Sequence, residues 1–208
     1  MSLLSMLLLA SALTLLRVTA LKTAVIILFL QSLLLSGVCL YAGLSQNESH
    51  LFIAAILTLL IKGLLIPYSL RRLVRRLKTE KETHPILSPN MSFFAGGLLL
   101  MLSHGLLSTA LPASSGRDIL STAITLVLLG LLLLMIRRQA PLQIVGLVTL
   151  ENGLYLLGLS ITGGLPLVIE LGIFLDLLVA VIVLVVLTRR LKYSFQTTDT
   201  SVLKNLKG

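Results

Sequence analysis

The sequence has few charged residues and only one cysteine. Charged residues make up 12% of the 208 residues and hydrophobic residues 56%, whereas about 25% of a soluble globular domain is charged. The sizeable polar stretches lie near residues 71–90 and after residue 190, and neither is long enough for a separate soluble domain. This composition excludes an ordinary soluble protein and predicts a single integral membrane domain.

Cysteine and catalytic motifs are scarce as well. Cys39 stands alone inside an apolar run, so the chain can form no internal disulfide and offers no thiolate set for an iron–sulfur cluster. No Ser–His–Asp order, metal-ligand cluster or phosphate-binding glycine loop appears in the sequence. We therefore expect no catalytic residue, metal or cofactor in this chain, and a free-standing enzyme is the least favoured interpretation.

Acidic residues are outnumbered by basic ones, 8 against 17, which gives a formal net charge of +9. In a soluble protein this excess would favour nucleic-acid binding. Here the basic residues stand at the ends of apolar runs, which indicates membrane topology and no nucleic-acid partner. The first run, "MSLLSMLLLASALTLL", has no Lys or Arg before it, so we predict a retained helix instead of a cleaved signal peptide.

Seven apolar runs predict an all-α integral membrane protein with seven transmembrane helices. Each run crosses or nearly crosses a hydrocarbon core of about 30 Å, and none alternates as a barrel strand would. Arg17 interrupts the first run. The runs are 2–20, 23–43, 51–69, 91–111, 119–136, 142–161 and 165–188.

The basic residues also predict an orientation, with the N-terminus outside and the C-terminus in the cytoplasm. Fifteen of the seventeen fall on one side of the seven spans, Arg117 falls on the other side, and Lys62 lies inside a span. The segment "LRRLVRRLK", residues 70–78, has apolar residues at helical spacing. It predicts an extension of the third helix along the anionic inner surface, with docking of a partner as the alternative.

Five ionisable residues inside the predicted spans are the candidate functional residues: Lys62, His104, Glu151, Glu170 and Asp176. Buried charges cost a few kcal/mol each and are kept where something compensates them. A rise of about 1.5 Å per residue places Lys62, Glu151 and Asp176 in one central plane, roughly 14–16 Å deep. On the same scale Glu170 lies roughly 8 Å below the outer face, and His104 about 20 Å into its helix.

A central layer of this kind suits proton transfer. Loss of water and a nearby ammonium act in opposite directions on a carboxyl pKa, and a carboxyl balanced between them can take up and release protons. The alternative is that each acid stays protonated and only bonds to a neighbouring helix, and that His104 is a packed, hydrogen-bonded histidine. Whether Lys62 contacts any of the acids depends on the helix order in space, which the sequence leaves open.

Small residues on the sixth predicted helix indicate close helix contacts. Gly146 and Gly153 share one face, and Asn152 lies beside it, so we predict that these three residues pack against other helices. Gln31, in "LFLQSLLL", is predicted to form an interhelical hydrogen bond. The turn "GGLP", residues 163–166, predicts that the sixth and seventh helices are antiparallel neighbours.

The C-terminal part resembles the small three-helix subunit of respiratory complex I called K, or 4L in mitochondria. The matching residues are the basic turn and buried acid of "RRQAPLQIVGLVTLENG" and the second acid of "LPLVIELGIFLDLLVAVIVLVVLTRRL". The first acid departs from the K pattern, in which it follows "GL" directly. That position is Val148 here, and Glu151 stands about one helical turn later.

With four further helices in front, the chain resembles component E of hydrogenase-4, the corresponding membrane subunit of formate hydrogenlyase-type complexes. The matching motifs are, in chain order, "LIKGLLIP", "ENG", "IELGI", "AVIV" and a terminal "LKG". The resemblance implies a four-helix extension at 1–112 with a basic loop at about 70–90. It also implies a K-like unit at 113–191 and a cytoplasmic tail at 192–208.

The resemblance implies a non-catalytic subunit of a complex I-related, membrane-bound NiFe hydrogenase in a bacterial or archaeal cytoplasmic membrane. Its expected partners are antiporter-like and complex I H-like membrane subunits, a peripheral hydrogenase module holding the NiFe centre and iron–sulfur clusters, and membrane lipid. Glu151, Glu170, Asp176, Lys62 and His104 would contribute to a proton or sodium path. The alternatives are a K-like subunit of a multisubunit cation/proton antiporter and a structural scaffold.

Overall fold

The computed structural model describes residues 2–46, 49–77, 82, 85–110 and 117–162, together with 178, 181–182 and 185–186. Its elements are helices, and α3 runs through a π-helical segment, Leu59–Leu65, into α4. The helices are α1 (Ser2–Arg17), α2 (Leu21–Gln46), α3 (Ser49–Thr58), α4 (Ile66–Leu77), α5 (Pro89–Ala110), α6 (Arg117–Ile136) and α7 (Ala140–Thr162).

Five described helical stretches are long and apolar enough to cross a membrane, judged by length and composition: Leu21–Ser45, Leu51–Leu73, Pro89–Leu107, Asp118–Ile136 and Ala140–Ile161. They correspond to five of the predicted spans. The first predicted span is a shorter apolar helix, Leu3–Arg17, which ends at the arginine that interrupts the run. The seventh predicted span, 165–188, lies outside the described residues apart from five helical positions.

Helix α7 lies between α6 and α2. The contact of α7 with α6 is the most extensive in the bundle, and α6 also contacts α1 and α5. On the other side, α2 contacts α7, α1 and the continuous helix formed by α3, the π-helical segment and α4. The buried core between these helices consists mainly of Leu, Val and Ala side chains, so the polar residues buried among them stand out.

Glycines allow α6 and α7 to approach each other closely. A Cβ atom at Gly153 would lie 2.6 Å from the backbone nitrogen of Val127, and one at Gly146 would lie 3.0 Å from the backbone nitrogen of Leu134. Side chains at these positions would force the helices apart, because backbone atoms cannot rotate away. The structure thus places Gly146 and Gly153 in the α6–α7 contact.

We expect Gly153→Ala to destabilise the protein by about 1–3 kcal/mol, because the added methyl group overlaps the backbone of α6. Gly97→Ala on α5 is the matched control, since a Cβ there meets nothing within 4 Å. That change should be neutral or stabilising by up to about 1 kcal/mol, from the higher helix propensity of alanine. The free energy of unfolding of both variants is measured in mixed detergent micelles. Changes of the same sign and size in the two variants would contradict the close contact between α6 and α7.

Three connections meet at one end of the bundle. The backbone nitrogen of Glu82, between α4 and α5, donates to the carbonyl of Thr19, between α1 and α2, at 3.0 Å. Arg137, between α6 and α7, bonds to carbonyl oxygens at the end of α1. These are the connections that the basic residues assign to one side of a membrane, and we refer to this end as the basic end.

Candidate functional site

A group of polar side chains is buried where α2, α7 and the helix running from α3 into the π-helical segment come together. Six of its seven members are 0% exposed, and Glu151 is 7% exposed. In an apolar bundle such residues need partners, because each unpaired polar group removed from water costs free energy. We call this group the Lys62 cluster; its members are Gln31, Ser32, Thr58, Lys62, Thr149, Glu151 and Asn152.

The ammonium group of Lys62 is compensated on several sides. It forms an ion pair with Oε2 of Glu151 and donates a hydrogen bond to Oδ1 of Asn152 at 3.1 Å. It also lies 5.4 Å from the centre of the Tyr155 ring, close enough for a cation–π interaction. The structure therefore answers the question that the sequence leaves open, since Lys62 does contact one of the buried acids.

The carboxylate of Glu151 is only half satisfied. Its Oε2 faces Lys62, but its Oε1 is buried and has no hydrogen-bond partner among the described residues. The hydroxyl of Thr58 and the amide nitrogen of Gln31 are also buried and also have no hydrogen-bond partner among the described residues. Buried polar atoms are nearly always hydrogen-bonded, so these atoms are candidates for bonds to groups outside the described part of the chain.

Gln31 fixes the orientation of Asn152. Its Oε1 accepts hydrogen bonds from Nδ2 of Asn152 and from Oγ1 of Thr149, both at 3.3 Å. With its amide nitrogen held this way, Asn152 turns Oδ1 toward Lys62. The interhelical hydrogen bond predicted for Gln31 is confirmed, since Gln31 lies on α2 and both of its partners lie on α7. For Asn152 the sequence predicts packing, and the structure adds a direct hydrogen bond from Lys62.

The π-helical segment positions Lys62 and follows from Pro67. The N–H of Ile66 bonds to the carbonyl of Ile61, five residues back, which is the π-helical spacing. The same spacing would pair the Lys62 carbonyl with residue 67, but proline has no N–H. The hydroxyl of Ser32 on α2 donates to that carbonyl instead, at 3.1 Å. Pro67 was the available signal in the sequence, although spacing alone did not predict the altered helix.

His104 occupies a different place from the Lys62 cluster. It lies on α5, which packs mainly against α1 and α6, and its Nε2 is 3.1 Å from the hydroxyl of Ser121 on α6. Its side chain is exposed in the isolated chain. The structure thus does not bring His104 to Lys62 and Glu151. Glu170 and Asp176 lie outside the described residues.

A second buried ion pair was not predicted from the sequence. At the basic end, Nη1 of Arg137 donates to Oε2 of Glu82 at 2.8 Å, and both side chains are 1% exposed. In the sequence, Arg137 indicates only membrane topology, because a basic residue at the end of a span looks the same whether it faces water or a buried partner. Among the described residues, no group of three or more His, Cys, Asp or Glu side chains could hold a metal ion.

Comparison with known proteins finds relatives across most of the chain. An uncharacterized protein of Mycobacterium tuberculosis, Rv0085, is 30% identical over 190 residues, 90% of this chain and 86% of that protein. Hydrogenase-4 component E of Escherichia coli K12 is 29% identical over 172 residues, 82% of this chain and 77% of that protein, and the component of Shigella flexneri gives the same figures. No protein-family model matches the chain, and no solved structure matches it.

Proposed function

The chain belongs to the family that includes Rv0085 and hydrogenase-4 component E, and from this premise we propose that it is a non-catalytic membrane subunit of a hydrogenase complex. The complex is of the membrane-bound NiFe, formate hydrogenlyase type in a bacterial or archaeal cytoplasmic membrane. Antiporter-like and complex I H-like subunits are its membrane neighbours, and a peripheral module carries the redox centres. The basic end faces the cytoplasm.

The observation that supports a role in ion movement is the half-satisfied Glu151 carboxylate. Its Oε2 is held by Lys62, and its Oε1 is buried without a partner among the described residues. A proton can bind at that one oxygen, whereas a sodium ion would need several oxygen ligands at once. We therefore assign Glu151 as a proton carrier and leave sodium as the alternative that the experiment below can expose.

Lys62 tunes this carrier through charge. While Glu151 is ionised, the ammonium balances it at close range. When Glu151 takes up a proton, the positive charge of Lys62 loses that balance and is held by Asn152 and the Tyr155 ring alone. The uncompensated charge attracts the next negative group, so each protonation event favours ionisation of a neighbouring carboxyl. Glu170 and Asp176 are the proposed next members of the path.

Replacement of Glu151 by glutamine tests this proposal. We expect Glu151→Gln to assemble into its complex, because glutamine keeps the size of the side chain and an oxygen that can accept from Lys62. Proton movement coupled to electron transfer should fall by roughly tenfold or more, as for loss of an essential proton-transfer group. The measurement is acidification of sealed membrane vesicles during hydrogenase turnover, followed with a pH-sensitive dye and repeated with and without sodium.

Asp118→Asn is the matched control, since it removes an exposed carboxylate from the first turn of α6. If Glu151→Gln pumps as well as this control, the chain is a scaffold and its buried acid serves only helix contacts. Nickel analysis of the purified complex separates the other alternative. A complex without nickel that still exchanges cations for protons would make this chain a subunit of a multisubunit antiporter.

A further inference from the structure

A groove runs along the outside of the bundle between α2 and α4. Its α2 wall carries Lys22, Val25, Ile26 and Phe29. These residues follow the spacing i, i+3, i+4 and i+7, so they form one stripe along the helix. The stripe begins with a basic residue and ends with an aromatic one, about 10 Å further along the helix axis.

The opposite wall also changes from basic to apolar, but there the apolar residues come first in the sequence. Leu64 and Tyr68 are followed by Arg71, Arg72 and Arg75, again at helical spacing. The two walls are in register. Lys22 shares a cavity of about 360 Å³ with Arg71 and Arg75, and Phe29 shares one of about 320 Å³ with Leu64. The α2–α4 groove is therefore basic at one end and apolar at the other.

The three arginines of the basic half have no carboxylate partner in the part of the chain that the structure describes. Arg71, Arg72 and Arg75 are exposed, and the carboxylates with described ion pairs, Glu82 and Glu151, belong to Arg137 and Lys62. Three cations on one helical face repel each other unless an anion lies between them. This half is thus complementary to a phosphate group.

The apolar half continues directly from the basic half. Ile26 is 52% exposed, Leu64 is 53% exposed, and Phe29 also presents its ring at the surface. Tyr68 lies between the arginines and Leu64 along the helix, and it lines the cavity that Phe29 and Leu64 share. A small water-soluble anion would use the arginines and leave this apolar wall uncovered, whereas an acyl chain would cover it.

We propose that the α2–α4 groove binds an anionic phospholipid, with its phosphate at Arg71 and Arg75 and an acyl chain along Ile26, Phe29 and Leu64. Basic pockets between membrane helices on the cytoplasmic side have the chemistry for acidic headgroups. An acidic protein segment would match the arginines equally well. It would leave uncovered the apolar wall at Ile26, Phe29 and Leu64, where Leu64 lies about 10 Å from Arg71 along the helix axis. The site is independent of the proposed role of Glu151.

Lipid retention in native mass spectrometry tests the site. The chain is purified with its co-purifying subunits in mild detergent, delipidated, and titrated with dioleoylphosphatidylglycerol or dioleoylphosphatidylcholine. We expect the anionic lipid to be retained preferentially, and Arg71→Gln to weaken its binding about fivefold, as for loss of one basic contact. Arg17→Gln is the matched control, because Arg17 is exposed at the basic end and does not line the groove.

A second variant tests the apolar half. Ile26→Trp fills the groove from an exposed position and should displace the acyl chain while leaving all the arginines in place. Equal retention of the two lipids, or equal losses from Arg71→Gln and Arg17→Gln, would overturn the proposal. Loss of binding in Arg71→Gln but full binding in Ile26→Trp would show that the basic half alone attracts anions, and the lipid site as proposed would be wrong.

Discussion

Lys62→Met is expected to lower the free energy of unfolding by about 3 kcal/mol, the low end of the cost of breaking a buried ion pair. Methionine fills a similar volume but carries no charge, so the packing of the side chain is largely kept. What is lost is the only described partner of Glu151, because Oε2 of that carboxylate faces Lys62 and Oε1 has no other donor among the described residues.

The two partners of the pair should respond unequally. In Glu151→Gln, the ammonium of Lys62 keeps Asn152 and the Tyr155 ring and gains the glutamine oxygen. In Lys62→Met, the carboxylate of Glu151 keeps no partner among the described residues. We therefore expect Glu151→Gln to cost less than Lys62→Met. The double variant should recover about 2 kcal/mol relative to the sum of the single effects, because removing both charges leaves none unpaired.

The unmodified protein, the two single variants and the double variant form a double-mutant cycle. Measuring the unfolding of all four in mixed detergent micelles gives the interaction energy between Lys62 and Glu151 directly. Arg17→Met is the control for the loss of an exposed cation, and its effect should be small. Additive single effects in the cycle would mean that Lys62 and Glu151 do not interact. Equal costs for Lys62→Met and Glu151→Gln would contradict the asymmetry in the contacts of the two groups.

The sequence predicts the helices well because their physical signal is local. Continuous apolar runs of spanning length leave few alternatives to a membrane helix, and Arg17 ends α1 where it interrupts its run. The small residues Gly146 and Gly153 likewise identify a face that can approach another helix closely. The sequence does not identify the helix that packs against this face, and the structure shows that it is α6.

The contacts of the site depend on helix order in space, which no local pattern contains. Lys62 and Glu151 are 89 positions apart, and equal depth in two helices does not say whether the helices are neighbours. The π-helical segment is an intermediate case. Pro67 indicates that a backbone acceptor in the preceding turn will lack its donor, but the identity of the acceptor, Lys62, depends on the register that Ser32 and α2 stabilise.

Arg137→Met is expected to destabilise the protein by about 3–5 kcal/mol, the largest effect among the changes considered. The reason is that one guanidinium both neutralises a buried carboxylate and donates hydrogen bonds to the end of α1. Its Nη1 neutralises Glu82, and its Nη2 donates to the carbonyls of Leu15, Leu16 and Val18 at 2.7–3.1 Å. These carbonyls stand at the end of α1, where the helix itself supplies no further donors.

Glu82 performs the complementary task for α7. Its Oε1 accepts the N–H groups of Arg138 and Gln139, at 2.8 and 3.2 Å, immediately before α7 begins. Orphan donors at a helix start are stabilised by a carboxylate in this position. The ion pair therefore links the end of α1 to the start of α7, and its loss should loosen the basic end as a unit.

Arg137→Lys separates charge from geometry in this prediction. Lysine keeps the positive charge, but its ammonium cannot present the planar fork that reaches Glu82 and three carbonyls together. We expect Arg137→Lys to recover only a minor part of the stability lost in Arg137→Met, with Arg17→Met as the exposed control. Full recovery by lysine would show that charge alone matters at the basic end. A loss in Arg137→Met no larger than in Arg17→Met would show that the buried ion pair does not link α1 to α7.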